Sequence, residues 1–436
     1  MPIRIVTSCG SAFISPQAHL PMSLIDLLSD ASQWERFYEY RTGLICPKDA
    51  AGKLRRFIDG KEYLPVCEEI RQGRFPLPKK AVISKLYSQK KRVVYTFPEA
   101  ENTVLKLLTF LLLRKYDRLF APGLYSFRPG RTAKDALRSL LCVRGLEGMW
   151  SYKADVSNYF NSIPIEKLTP QLEAALCGDP DLFRFLKGLL EEPFVLENGR
   201  KTEERKGIMA GTPTASFLAN LYLNELDRHF YEAGIPYARY SDDMILFAPT
   251  REEALRRADH VRAFLAERGL ALNPDKEELR SPEEGFTFLG FICRGGEVDV
   301  APASVDKIKA KMRRKTRALA RWRDRNGLEG EKAAKAFIRI FNRKLFENPV
   351  SDELTWTYWF FPVITTSRSL GTIDRYAQDC VRFLITGTRT KARFNARYED
   401  MKALGLRSLV HTYYDHSEEE QARRSRKPSA PADGPQ

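Results

Sequence analysis

Long apolar runs, histidine and paired cysteine are what this chain has least of. No stretch approaches the roughly 18 apolar residues that a membrane-crossing helix needs. The longest candidate, residues 104–113, is too short and carries Lys106. The N-terminus lacks a charged-then-apolar leader pattern. Only five histidines occur, none spaced as a pair of metal ligands. The seven cysteines stand at 9, 46, 67, 142, 177, 293 and 380, with no C-x-x-C among them. That argues against a zinc site and a disulfide framework, and it fits a reducing, cytoplasmic setting. Acidic charge is short as well: 71 Lys and Arg against 56 Asp and Glu leave a net charge of +15. Such an excess favours a polyanionic partner, with a membrane surface as the competing reading.

What is present is a chain of 436 residues, 43% hydrophobic, enough for several subdomains with sizeable cores. Residues 1–80 read as mostly helical, with Leu-rich or aromatic patches at 20–28 and 34–40. A basic segment at 79–92 leads into a strand at 93–98. A helix over 99–119 places Leu105, Leu108, Leu112 and Tyr116 on one face. After a turn-rich basic loop at 123–131, Thr132 opens another helix with Asp135 in its first turn. A short strand at 151–156, helices to about 192, a hairpin at Asn198-Gly199 and one helix over 215–233 follow. Residues 251–268 read as a helix, and 286–292 as one strand ending in a turn at Gly295-Gly296. From Ser304 onward the pattern is helical, with Ile308, Met312, Leu319 and Trp322 on a shared face. Residues 417–436 read as a disordered tail. Strands and helices in this order predict an α+β fold with an antiparallel core sheet.

The most informative residues are Tyr240-Ser241-Asp242-Asp243, flanked on both sides by β-prone apolar segments. Adjacent carboxylates at a hairpin bend repel each other, unless divalent cations lie between them. An ordinary Asp-rich turn is the alternative. A third carboxylate, Asp155, stands at the end of its own apolar strand, next to Val156. Side by side in one sheet, Asp155, Val156, Asp242 and Asp243 would form a site for two Mg²⁺ ions, with Mn²⁺ as a substitute. Ions about 3.5–4 Å apart serve in-line phosphoryl transfer. Residues 307–325 hold ten Lys or Arg, and Asp324 is the one acidic residue among them. That stripe, Lys311 and Arg314 included, suits the backbone of a nucleic-acid duplex. A solvated helix face is the plainer reading. The aromatics Trp356, Tyr358, Trp359, Phe360 and Phe361 read as core packing before base stacking.

The order of these segments over residues 78–292 resembles the reverse transcriptases, especially the bacterial branch of group II intron and retron enzymes. Asp155 with Phe160 looks like the family's first catalytic motif, and Tyr240-Ser241-Asp242-Asp243 like its Y-x-D-D motif. Residues 124–131, Leu-Tyr-Ser-Phe-Arg-Pro-Gly-Arg, resemble its fingers loop, and Phe288-Leu289-Gly290-Phe291 its primer grip. The resemblance implies a right-hand polymerase. It would have an N-terminal helical extension (1–60), fingers (61–150), palm (151–300), thumb (301–350) and a C-terminal helical RNA-binding module (351–416). Asp155, Asp242 and Asp243 would be catalytic. Arg92, Arg128, Phe160, Gly211 and Lys276 would meet the dNTP; Tyr240, Phe288, Leu289, Gly290, Lys311 and Arg314 would meet primer and template.

Several of these roles have bland alternatives. Phe160 would exclude a 2′-hydroxyl, or simply pack. Arg92 and Arg128 would grip triphosphate, or be surface arginines. Lys276 would protonate pyrophosphate, or be a surface lysine. One departure stands out: Ala210-Gly211 replaces the family's Gln-Gly, and Ala215-Ser216 its Ser-Pro. The C-terminal stretch, without a His/Cys nuclease, is most similar to the defence-associated unknown-group enzymes, of type 2. That implies a noncoding RNA template, a DNA primer or cDNA product, and dNTPs, in antiphage defence, with no membrane partner. A group II intron-type maturase, a maker of untemplated or protein-primed DNA, and an RNA-binding scaffold with a vestigial site are the rivals. Oligomeric state is not readable.

Overall fold

The run Met244-Ile245-Leu246-Phe247-Ala248 has no polar side to offer solvent, and a computed structural model shows why. It describes residues 22–43, 48–84, 91–347 and 355–426. Eleven strands are described: β1 Lys79–Ser84, β2 Lys91–Thr96, β3 Trp150–Asp155, β4 Phe194–Glu197, β5 Arg200–Glu203, β6 Tyr237–Tyr240, β7 Asp243–Ala248, β8 Glu278–Arg280, β9 Phe286–Phe288, β10 Phe291–Arg294 and β11 Glu297–Val300. The central sheet has the order β6-β7-β3-β8, and each pairing is antiparallel. Met244 and Leu246 of β7 enter a core shared with the N-terminal helices. Ile245 and Phe247 enter a second core shared with the C-terminal helices. A strand buried on both faces reads as a continuous apolar run rather than an alternating one.

The fingers sheet has the order β2-β1-β4-β5. β1 pairs antiparallel with β2 from Lys79↔Thr96 to Ser84↔Lys91, and parallel with β4 at Lys79↔Leu196. The segment 79–84, read as merely basic, is thus a strand. The hairpin β4–β5, assigned to the palm by its position in the chain, belongs to the fingers sheet. Its turn, Asn198-Gly199, has φ of +52° and +81°, as a two-residue hairpin turn of type I′ requires. The third sheet, β11-β10-β9, corrects another expectation. Residues 286–292 are not one strand: the chain reverses at Leu289-Gly290, pairing Phe288 with Phe291. Likewise 215–233 is two helices, Ala215–Tyr222 and Asn224–Glu232, divided at Leu223.

The described residues beyond 304 contain helices and no strand. Pro302–Arg325, Gly330–Phe346 and Arg368–Thr386 pack on one another as a three-helix unit. The expected division at 350 therefore cuts through a single core, because the third helix comes from the stretch assigned to a separate module. Leu370, Ile373, Ala377, Cys380 and Leu384 are buried along it, as periodicity predicts. Phe360 and Phe361 are buried too. Trp322 departs from its predicted face and is exposed. The final helix, Leu409–Arg426, overturns the expected tail from Ser417. Residues 418–424 are Glu, Gln, Ala and Arg, all good helix formers, and no proline intervenes before 428. Residues 1–21, with the patch at Leu20, and 427–436 lie outside the described residues.

Candidate active site

Register brings two of the three carboxylates together. In the β3–β7 ladder, Asp155 stands opposite Asp243. β6 and β7 join through Ser241-Asp242, with Tyr240 opposite Asp243. The Val156 amide donates to the Asp242 carbonyl at 3.0 Å, so Asp242 lies over the end of β3. Asp155 is also held from its other side, where the Asn273 amide donates to its carbonyl at 2.8 Å.

Electrostatics mark Asp242 and Asp243 as uncomfortable without a cation. Burial raises the Asp243 carboxyl to about 7; Asp155 and Asp242 add to the rise, and Lys153 and Lys276 oppose it. Burial likewise raises Asp242, helped by Asp155 and countered by Lys276 and Arg92. Asp243 Oδ1 is buried with no hydrogen-bond partner. An orphaned anionic oxygen beside two other carboxylates suits a hard divalent cation. Among the described residues, however, no group of three His, Cys, Asp or Glu side chains is gathered so that it could hold an ion by itself. Lys276 Nζ bonds Asp155 Oδ2 at 2.6 Å instead. An ion held here would need oxygens from water or a bound ligand to complete its shell.

The turn carrying Asp242 rests on a polar network that sequence reasoning missed. Ser241 adopts φ +63°, unfavourable for a residue with a Cβ. The Ser241 amide donates to Ser126 Oγ at 2.8 Å, and Arg239 Nη1 donates to the Ser241 carbonyl at 3.0 Å. Arg239 is wholly buried and forks onto Asp227, Nε to Oδ1 at 2.8 Å and Nη2 to Oδ2 at 2.5 Å. Asn220 Nδ2 donates to the Ser126 carbonyl at 2.9 Å. Ser126 lies in the quoted segment 124–131, and Asn220 four residues beyond Ala215-Ser216. The signal for Arg239 is a lone arginine in an otherwise apolar strand.

The other predicted residues fall out unevenly. Arg128 is not a triphosphate ligand in this arrangement. It is 7% exposed and bonds Asp117 bidentately at 2.7 and 3.0 Å, with further bonds to the carbonyls of Ala121, Leu124 and Asp117. A guanidinium so fully used holds its loop rather than a ligand. Gly211, φ +102°, permits close approach to the fingers strand: an added Cβ would lie 3.0 Å from the Tyr95 carbonyl. The Tyr95 amide donates to the adjacent Ala210 carbonyl at 2.8 Å. Asn161, also missed, links the same parts, donating to the Val93 carbonyl at 3.1 Å and accepting from the Ala210 amide at 2.9 Å.

Arg92 is exposed on β2, and its charge reaches Asp242. Phe160 is half-buried, edge-on to Phe127 with ring centroids 6.4 Å apart. Tyr240 and Leu289 pack on the second core, and Phe288 is buried within it. Gly290, φ +91°, closes the β9–β10 turn and accepts from the Ala301 amide at 2.8 Å. Lys311 and Arg314 stand on the helix Pro302–Arg325.

Comparison with known proteins finds relatives over part of the chain. An uncharacterized 91 kDa protein in a cob intron of Schizosaccharomyces pombe is 31% identical over 132 residues, 29% of this chain and 15% of that protein. The retron Ec86 reverse transcriptase of Escherichia coli is 26% identical over 106 residues, 23% of this chain and 33% of its own. The chain thus spans a third or less of these relatives. Telomerase structures from Candida tropicalis (apo) and Candida albicans (with a telomeric RNA fragment) each share 12% identity with it. They cover 76% and 82% of this chain and 60% and 71% of their own, with TM-scores of 0.45 and 0.42. The family model described as reverse transcriptase (RNA-dependent DNA polymerase) matches residues 77–293. Every carboxylate of the trio lies in that span, and across it the chain is similar to the reverse transcriptase family.

Proposed function

We propose that this protein is an RNA-directed DNA polymerase that extends a DNA 3′ end with dNTPs on a noncoding RNA template, in antiphage defence. The observation that carries the catalytic part is Asp155 facing Asp243 across two paired strands, with Asp242 on the adjoining turn. Two bound Mg²⁺ ions would activate the 3′-hydroxyl and stabilise the departing pyrophosphate. Asp155, Asp242 and Asp243 would hold them. Arg92, exposed on the fingers and close enough for its charge to reach Asp242, offers the triphosphate a forked donor. Lys276, released from Asp155, would supply a proton to the leaving group. Phe160 would close the space that a ribose 2′-hydroxyl needs.

Full-length protein, incubated with primed RNA, dNTPs and Mg²⁺, is expected to extend the primer. Asp243→Asn is expected to abolish extension while primed RNA stays bound; undiminished extension by that variant would refute the proposal. Phe160→Ala should cut the preference for dNTP over rNTP by about 10- to 100-fold in single-nucleotide incorporation. The name of the Schizosaccharomyces pombe relative favours an intron-encoded role as a second reading. Sequencing the RNA that copurifies separates the two, because an intron would displace the defence assignment.

A further inference from the structure

We propose that the end of the helix Arg368–Thr386 and the turn Lys391–Asn395 form a binding surface for an unpaired RNA strand. The choice of RNA rests on the polymerase reading above; the surface itself is argued from its own residues. Residues 375–397 hold six Lys or Arg and a single acidic residue, Asp379. Within this cationic stretch an aromatic ring is left outside the core: Phe394 is 52% exposed. It stands beside two guanidinium groups, Arg393 at 4.4 Å and Arg382 at 5.1 Å from its centroid. Both arginines are fixed by the fold. Arg393 donates to the Arg389 carbonyl at 2.9 Å, and both reach Asp379, at 3.6 and 3.4 Å.

The arrangement repeats alongside. Arg389 lies 4.6 Å from the Phe383 ring, and Lys309 of the helix Pro302–Arg325 lies 5.2 Å from Tyr376. The hydroxyl of Tyr376, raised mainly by burial, is pulled back by Arg313, Arg389 and Arg317. The cationic stripe of the earlier helix therefore continues onto this turn.

Of these rings, Phe394 alone offers an exposed face, while Tyr376 and Phe383 pack partly on the core beneath; an exposed ring among guanidinium groups suits a nucleobase, with the cations left for phosphates. A duplex buries its base faces and would use only the charge. An exposed Phe394 gains nothing from a duplex, so the chemistry selects an unpaired strand. In the proposed reaction the template enters unpaired, whereas the product DNA leaves paired to it. The occupant is accordingly RNA.

The test uses the full chain, a labelled unstructured single-stranded RNA of U and A, an RNA duplex of equal length, and a single-stranded DNA of the same sequence. Phe394→Ala is expected to weaken single-stranded RNA binding by roughly 5- to 30-fold and to leave duplex binding within about 2-fold. Phe394→Tyr should retain wild-type affinity, since a ring remains. Unchanged affinity in Phe394→Ala, or equal losses for single strand and duplex, would overturn the proposal. So would a DNA strand that binds more tightly than RNA and suffers the larger loss. Primer extension on a pre-annealed template, read in parallel, separates the two readings: a wild-type protein that binds but does not extend refutes the polymerase assignment alone.

Discussion

Two of the described hairpins, both with a side chain at positive φ in a two-residue turn, are held by opposite means. The turn Ser241-Asp242 is fixed by directional polar bonds from Ser126 and Arg239. The turn Leu289-Gly290 is fixed mainly by packing, with Phe288 and Phe291 buried beneath it and one backbone bond to Ala301. In the proposed reaction the first would have to place carboxylates to within fractions of an ångström, and the second only to keep a strand end in place. Directional bonds set position, and apolar burial sets stability.

Replacing Arg239 should separate those two effects most strongly. Arg239→Met leaves Asp227 buried without its partner, at a cost of about 3–5 kcal/mol in denaturant unfolding. Adding Asp227→Leu should restore most of that stability, because the orphaned charge is gone. Extension activity should stay low in the double variant, since the Ser241 carbonyl still lacks its donor. Full recovery of activity would show that the network contributes only stability, and would erase the contrast between the hairpins.

Gly290→Ala tests the packed turn. It places a Cβ at φ +91°, 3.2 Å from Ser304 Oγ, and should cost roughly 1–2 kcal/mol. Addition of one nucleotide to a saturating primer should change little, and affinity for primed template should fall. A larger loss in turnover than in affinity would reverse that assignment.

Lys206 sharpens the comparison from the other side. It is a buried cation like Arg239, yet its Nζ has no hydrogen-bond partner. Burial lowers its pKa, against the pull of Glu192 and Glu204. A lysine whose folded pKa lies below its unfolded one destabilises the fold while both states are charged. That cost disappears as pH rises from the folded towards the unfolded value. Lys206→Met should therefore stabilise the protein near neutral pH by about 1 kcal/mol. The gain should shrink in melts taken towards pH 10. A gain that grows with pH would contradict the burial argument.

Much of this was legible in the sequence, for identifiable reasons. The carboxylate strands announce themselves because Asp243 opens a bare apolar run, 244–248, and Asp155 closes a short β-prone segment. Helices such as Arg368–Thr386 follow from 3.6-residue periodicity. What stayed hidden depends on partners distant in the chain. Arg128 looks like a ligand until Asp117 and three carbonyls are seen around it. Gly211 gives no hint of its neighbour on the fingers strand until Tyr95 appears against it. The turn at Leu289-Gly290 was concealed because leucine rarely takes positive φ. The end of the thumb was misplaced because apolar periodicity tells which face is buried, and not which helix covers it.

The parallel contact between Lys79 and Leu196 has a consequence for synthesis. The fingers sheet joins strands more than a hundred residues apart, so it cannot be completed until the β4–β5 hairpin has left the ribosome. Until then β1 and β2 are a two-stranded ribbon with an open edge, marginal by itself in water. Val82 and Ile83, both about half-exposed in the finished protein, lie on that ribbon. The nascent chain is thus most exposed to aggregation between the emergence of its second strand and its fifth, and slower translation across residues 97–193 would lengthen that interval.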